Sequence, residues 1–270
     1  TSRGCPVGCS FCMVEDISGK KLRLRSAENV ADEMEWLKNE FGIKGVVFED
    51  DNPFGNRKRS KKMLQEMIDR KLNLKWRSAG VTIFTMDEET FRLMSESGCD
   101  GIGVAIESGS ERVLKELINK PVKLTNVPNL IKLAHKYNLY VSANFVIGFP
   151  GETWEEIRQT LTFAESCGID YAKIYVAQPL LGTRLYDSAK ELGVMSGDDQ
   201  TVDWRNGRIN TDEFMSKELS YLRVYEWDRI NFTDPKKRKR TARQMGVTLR
   251  ELNKIRKLTR DSINSVSQST

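Results

Sequence analysis

Thr1-Ser-Arg-Gly-Cys5-Pro-Val-Gly-Cys9-Ser-Phe-Cys12 opens the chain and holds three of its five cysteines at the spacing C-x-x-x-C-x-x-C. Thiolates are soft ligands that select zinc, copper or iron–sulfur clusters. A structural zinc site is closed by four ligands, and no fourth ligand lies near this stretch. A loop bent by Pro6 and Gly8, with three sulfurs, instead suits a cubane cluster that leaves one iron open. An open iron suits a catalyst better than a structural staple. Zinc stays an alternative at this point. It would have to recruit Cys99, Cys167 or the single histidine, His135, each from a different later repeat.

Outward from the loop, the chain alternates. A polar link (18–21) leads to Ser26, which can cap a helix over 27–40 that Gly42 ends. The β-branched run 43–48 reads as a buried strand and stops at Glu49-Asp50-Asp51-Asn52-Pro53. A basic amphipathic helix (58–70) and a strand (74–79) follow. Thr85 with Glu88 then reads as a capping box for a helix ending at Gly98, before a strand at 101–106. A helix over 124–137, a strand over 140–147, a capping box at Thr153 and Glu156, a helix ending at Gly168 and a strand over 171–177 complete the series. Strands recur every ~30 residues, the size of a βαβ unit. Such alternation implies a parallel sheet with helices outside it. Periodicity alone also allows a doubly wound sheet. The polar residues gather where strands end, which favours an open barrel. Beyond Leu181 the pattern weakens to a short helix (183–192), a Gly/Asp-rich loop with Trp204, a helix from Ser216 to about Ile230, and a final amphipathic helix. That last helix starts at Thr248 and Glu251 and sets Leu252, Ile255 and Leu258 on one face. The Ser-rich end is expected to fray.

In parallel barrels the chemistry sits at the carboxyl ends of the strands. Those ends carry the carboxylates Glu49, Asp50 and Asp51 with Asn52, which crowd together only if they meet a cation or water. They also carry Arg77 with Ser78, Glu107 with Ser108, the Asn144-to-Thr153 stretch with its Gly-Pro-Gly turn, and Gln178 before Pro179. Arg77 reads equally well as a carboxylate-binding fork or as an ordinary salt-bridge partner. His135 lies inside a helix and reads as a surface or satisfied residue. Cys99 and Cys167 read as small buried thiols.

With its cysteine spacing and Phe11 just before Cys12, the chain resembles the radical S-adenosylmethionine (SAM) superfamily over roughly residues 1–187. The resemblance implies a partial (β/α)6 TIM-like barrel, α/β in class, with a helical, basic C-terminal extension over 188–270. It implies a [4Fe–4S] cluster on Cys5, Cys9 and Cys12, with SAM chelating the open iron and being split reductively into methionine and a deoxyadenosyl radical. It makes Glu49, Asp50, Asp51 and Asn52 the segment for the SAM ammonium, in place of the usual Gly-Gly-Glu-like run. Arg77 is a carboxylate contact. Glu107 and Ser108 are contacts to the ribose or methionine part, and Asn144, Ile147, Gly148 and Gln178 form the adenine side. The Glu-Asp-Asp-Asn variant is similar to the branch often fused to a cobalamin-binding domain, whose members methylate or oxidatively cyclise unreactive carbons. Alternatives are a tRNA-modifying, methylthiotransferase-like enzyme, or a non-catalytic metal-binding nucleic-acid module.

The charge distribution bears on partners. The net charge is +5, yet residues 235–261 hold eleven Lys/Arg against two acids. This basic tail suits nucleic-acid phosphates, anionic lipid head groups or a solvated helix face. No apolar run approaches the ~20 residues of a membrane span, and clustered thiols at metal spacing suit the reducing cytoplasm. Opening at Thr1, on what reads as the end of a strand, the sequence is expected to belong to a longer protein with at least one strand in front. An electron donor such as flavodoxin or ferredoxin is the implied protein partner.

Overall fold

A computed structural model describes residues 1–197 and 207–266; Trp204 and the last four residues of the Ser-rich end lie outside them. Five strands form one sheet in the order β3 (Gly45–Phe48), β4 (Lys75–Val81), β5 (Cys99–Glu107), β6 (Tyr140–Ile147) and β7 (Tyr171–Val176). β3 pairs parallel with β4, Gly45 opposite Lys75, and β4 parallel with β5, Arg77 opposite Gly101. A doubly wound sheet reverses its strand order at a switch point. This order runs monotonically with the chain, so the partial-barrel reading stands and the doubly wound one falls.

Helices separate the strands: α2 (Ala27–Phe41), α3 (Arg57–Asp69), α4 (Glu88–Glu96), α5 (Val127–Lys136) and α6 (Trp154–Ser166). Ser26 caps α2 through the Asn29 amide, and the capping box of Thr153 and Glu156 opens α6. The box expected at Thr85 is absent. Asp87 caps α4, accepting from the Thr90 amide, because residues 83–85 already form a 3-10 turn. The strand end read at the opening of the chain is β1 (Ser2–Arg3), which pairs antiparallel with β2 (Arg23–Leu24) apart from the main sheet; β2 and helix α1 (Val14–Ser18) had no readable signal. A π-helical stretch, Val113–Ile118, was also unanticipated.

The chain divides into two compact units. The first comprises Thr1–Gly8, Cys12–Ile106 and Lys120–Ser142; the second comprises Cys9–Phe11, Glu107–Asn119 and Ala143–Thr270. In the first, buried Met34, Met63, Leu64 and Met67 from α2 and α3 fill the core with Trp76. The Trp76 ring meets those of Phe48 and Phe54 at 5.2 and 6.1 Å. Its indole N–H donates to Ser97 Oγ at 3.1 Å, as a buried tryptophan requires.

The second unit ends in α7 (Arg184–Glu191), α8 (Ser216–Phe232), α9 (Pro235–Met245) and α10 (Leu249–Val266). Phe232, Ala242 and Leu252 form a satellite core with Tyr171, Trp227 and Val247. Thr248 and Glu251 do open α10, each bonding the other's backbone amide. Leu258, however, is 59% exposed, while Leu252 and Ile263 are buried. Six residues on from Leu252, a helix has turned about 120° away, whereas eleven, the step to Ile263, bring it back to within about 20°. Basic residues of the tail are held by this unit. Asp228 accepts from Arg256 at 2.7 and 3.0 Å and from Arg260 at 2.6 Å, and Arg240 pairs with Asp170 at 2.9 Å.

Candidate functional site

In the first unit, the polar run after β3 grips the start of the cysteine loop residue by residue. Asp50 Oδ1 accepts from the Thr1 hydroxyl at 2.7 Å, from the Ser2 hydroxyl at 2.8 Å and from the Ser2 amide. Asp51 Oδ2 accepts from the Gly4 amide at 2.7 Å. Asn52 Nδ2 donates to Cys5 Sγ at 3.5 Å, and its Oδ1 accepts from the Thr82 hydroxyl at 2.8 Å. Gly4 (φ +86°) is obligatory, because a Cβ there would lie 2.3 Å from the Lys21 carbonyl oxygen. The Cys5 amide donates to the Gly19 carbonyl at 3.2 Å. Glu49 is the exposed member of the acidic run.

Also in this unit, Arg77 makes a two-pronged pair with Asp100, at 2.6 and 3.1 Å. It stands opposite Gly101, the third residue of β5, and so toward the starts of the strands rather than their carboxyl ends. Ser78 is buried, and its hydroxyl has no hydrogen-bond partner.

In the second unit, Ser10 anchors its part of the loop. Its amide donates to Ile118 O at 2.8 Å, its hydroxyl to Leu117 O at 2.6 Å, and its carbonyl accepts from the Leu185 amide at 2.9 Å. The π-helical stretch supplies two of those acceptors, in keeping with the association of π-bulges with functional sites. The Phe11 ring lies 5.8 Å from that of Phe149.

Glu107 is 5% exposed and sits at φ +76°, a conformation that costs a non-glycine residue about 1–3 kcal/mol. Such strain at a strand's carboxyl end fits a functional position. Ser108, fully buried, bonds Thr160 Oγ1 at 3.0 Å and accepts from the Ser110 amide at 3.1 Å. It thus ties this turn to α6. Glu156 is held by Arg112 through contacts of 2.8 and 2.5 Å, and that guanidinium, with the Thr153 and Ser110 donors, lowers its pKa to about 2.

At the end of β6, Asn144 Oδ1 is buried without a hydrogen-bond partner. Ile147 is fully buried. Gly148 (φ +92°) lies under helix α8, where an added Cβ would fall 2.4 Å from Leu219 Cδ1. The positive φ by itself favours glycine at this turn, and Leu219 packs over it. Glu152 Oε2 accepts from the Gly148 and Phe149 amides at 2.6 and 3.0 Å. Burial raises its pKa to about 7 despite those two donors. Gln178 is 6% exposed just beyond β7.

The donor set fits an iron–sulfur cluster. Cys5, Cys9 and Cys12 are half-buried and form no disulfide. Among the described residues, no three His, Cys, Asp or Glu side chains gather as the ligands of a single ion would. A cubane takes each thiolate on a different iron and needs no such convergence. Burial pushes the Cys99 thiol up to about 12 and the Cys167 thiol up to about 11, as expected of small buried thiols. The orphaned Asn144 oxygen is an acceptor suited to a bound donor, since buried polar atoms are normally satisfied. Sequence reasoning missed Ser10 and Thr82, and it gave Glu152 no role of its own within the Asn144-to-Thr153 stretch.

Residues 1–164 match the Radical SAM superfamily. The chain is 35% identical, over 219 residues, to cytidylyl-2-hydroxyethylphosphonate methyltransferase of Streptomyces wedmorensis, covering 78% of this chain and 41% of that one. It is 37% identical over 227 residues to an uncharacterized methyltransferase of Pyrococcus horikoshii, covering 82% and 48%. The chain thus spans less than half the length of these curated relatives. In fold it resembles the radical SAM methyltransferase TsrM of Kitasatospora setae, solved with cobalamin and a [4Fe–4S] cluster. That likeness has a TM-score of 0.65 at 22% identity, over 73% of this chain and 37% of the other.

Proposed function

The chain belongs to the radical SAM superfamily, and from that premise we propose that it is the SAM-cleaving core of an enzyme that methylates an unactivated carbon. The observation that carries this reading is the C-x-x-x-C-x-x-C loop, inside the matched residues, in a chain whose relatives named above are methyltransferases. Cys5, Cys9 and Cys12 would hold a [4Fe–4S] cluster, and the cluster, when bound, supplies the electron that cleaves SAM. Exposed Glu49 would meet the SAM ammonium. Asp50 and Asp51 would act behind it by holding residues 1–4 in place. Glu107, Asn144 and Gln178 would line the nucleoside, with Ile147 and Gly148 shaping the turn beside it. Ser108 would brace that wall through Thr160, and Phe11 would stack on Phe149 behind the last cysteine. Arg77, engaged by Asp100, contributes to the sheet rather than to SAM.

Residues 1–187 would form this core, and residues 188–270 a helical extension that packs its own small apolar cluster. Cobalamin would be held by a domain outside this chain, as the fold likeness to a cobalamin-bound methyltransferase suggests. Oxidative cyclisation remains the neighbouring chemistry within the same branch. The tRNA-modifying and nucleic-acid-module readings have less support, because the relatives named above are methyltransferases; of the tail's cations, Arg256 and Arg260 pair with Asp228 and Arg240 with Asp170. Such an enzyme needs a substrate and a reductant; a flavodoxin or ferredoxin in the cytoplasm fits the reductant. Among the described residues, no helix is long and apolar enough to cross a membrane.

The test is anaerobic reconstitution. The protein should bind about four irons per chain and, with dithionite, convert SAM to deoxyadenosine. Cys12→Ala should abolish both. Zinc binding with no SAM cleavage would overturn the reading.

A further inference from the structure

The geometry points to Asn52 as a hydrogen-bond donor to the Cys5 thiolate of the bound cluster, raising its reduction potential, with Thr82 as the residue that orients the amide. This rests on the cluster reading above and goes beyond it by assigning a redox-tuning role to one side chain.

Three observations in the first unit support it. Asn52 is 2% exposed, and its Nδ2 lies 3.5 Å from Cys5 Sγ, an ordinary reach for a sulfur acceptor. The two ends of an amide are distinguishable here. A thiolate on iron can only accept, so the N–H₂ end is the one that faces the sulfur, and Oδ1 then accepts from the buried Thr82 hydroxyl at 2.8 Å. The amide also packs directly against Gly55, where an added Cβ would fall 2.9 Å from its Cγ and Nδ2.

The neighbouring residues explain why the contact persists. Asp51 and Asp50 hold Gly4 and Ser2 in the same direction along the chain, so successive residues 50, 51 and 52 hold residues 2, 4 and 5. An N–H aimed at a cluster thiolate draws electron density from it and favours the reduced cluster, which carries one more negative charge. The step is a one-electron reduction, the electron coming from dithionite in the assay below, and no proton is transferred.

The experiment is a redox titration of the anaerobically reconstituted full chain, followed by electron paramagnetic resonance of the reduced cluster, with iron counted in each sample. Asn52→Leu removes the donor, and its reduction equilibrium should shift about tenfold toward the oxidised form, 59 mV for a one-electron couple. Thr82→Val keeps Asn52 but frees its amide, and should shift the equilibrium in the same direction by a smaller factor. If Asn52→Leu loses iron, Thr82→Val decides. Unchanged potentials in the iron-replete variants would overturn the inference while leaving the cluster reading intact. Failure of the unsubstituted protein to take up iron would overturn both.

Discussion

The segment after β3 and the segment after β6 occupy equivalent places at the carboxyl ends of strands, yet they handle their carboxylates in opposite ways. After β3, Asp50 and Asp51 accept hydrogen bonds from residues 1–4, and although burial opposes it, those donors hold the Asp50 carboxyl, 5% exposed, below the usual carboxylate range. After β6, Glu152 is fully buried and two backbone amides do not offset the loss of water, so its pKa rises to about 7. Desolvation disfavours the charged form, and hydrogen bonds favour it. The difference teaches that a strand-end acid is not automatically a ligand contact. In the first segment the acids position the cysteine loop, and in the second the acid fastens a turn.

The largest effect should come from closing the space at the second segment. Gly148→Ala combines a disfavoured φ with a clash against fully buried Leu219, and should cost about 3–4 kcal/mol in urea unfolding. A loss below about 1 kcal/mol would mean that α8 yields easily there.

Next comes the titration of Glu152. Its folded pKa lies above the usual 4.5, so the folded state binds the proton more tightly than the unfolded one. The associated stability is fully present below pH 4.5 and lost as pH rises through about 7. Glu152→Gln keeps an acceptor for the two amides and cannot ionise. Relative to the unsubstituted protein it should gain up to about 3 kcal/mol by pH 8 and little at pH 4. An identical pH slope in both proteins would contradict the buried-acid assignment.

The smallest effect belongs to the first segment. Asp51→Ala should cost about 1–2 kcal/mol and speed exchange of the Gly4 amide, while Asp51→Asn, still an acceptor, should lose less than half of that. Equal losses in the two variants would show that charge rather than the hydrogen bond holds the loop.

Much of the fold was legible along the chain because helices and strands announce themselves locally. The Ser26 cap, the capping box of Thr153 and Glu156, and the β-branched run before Glu49 each depend on neighbours within about four residues. Their repeat at βαβ spacing is enough for a parallel sheet. The helix start near Thr85 was misplaced because the 3-10 turn at 83–85 left Asp87 as the free cap. Leu258 was misplaced because a run of three-residue steps drifts off a helix face.

The candidate site was legible in its ligands and obscure in its supports. Cysteine spacing, and the chemistry of a thiolate, are properties of a dozen adjacent residues, so the sequence by itself offered the three-cysteine donor set and, with the alternation, a parallel α/β sheet, while the strand order that excludes a doubly wound sheet came from the structure. Which carboxylate meets a backbone amide, which side chain packs over Gly148, and what the Asn52 amide meets depend on residues 30 to 71 positions away. Those contacts are set by distance and burial in three dimensions, and only the tertiary structure decided them.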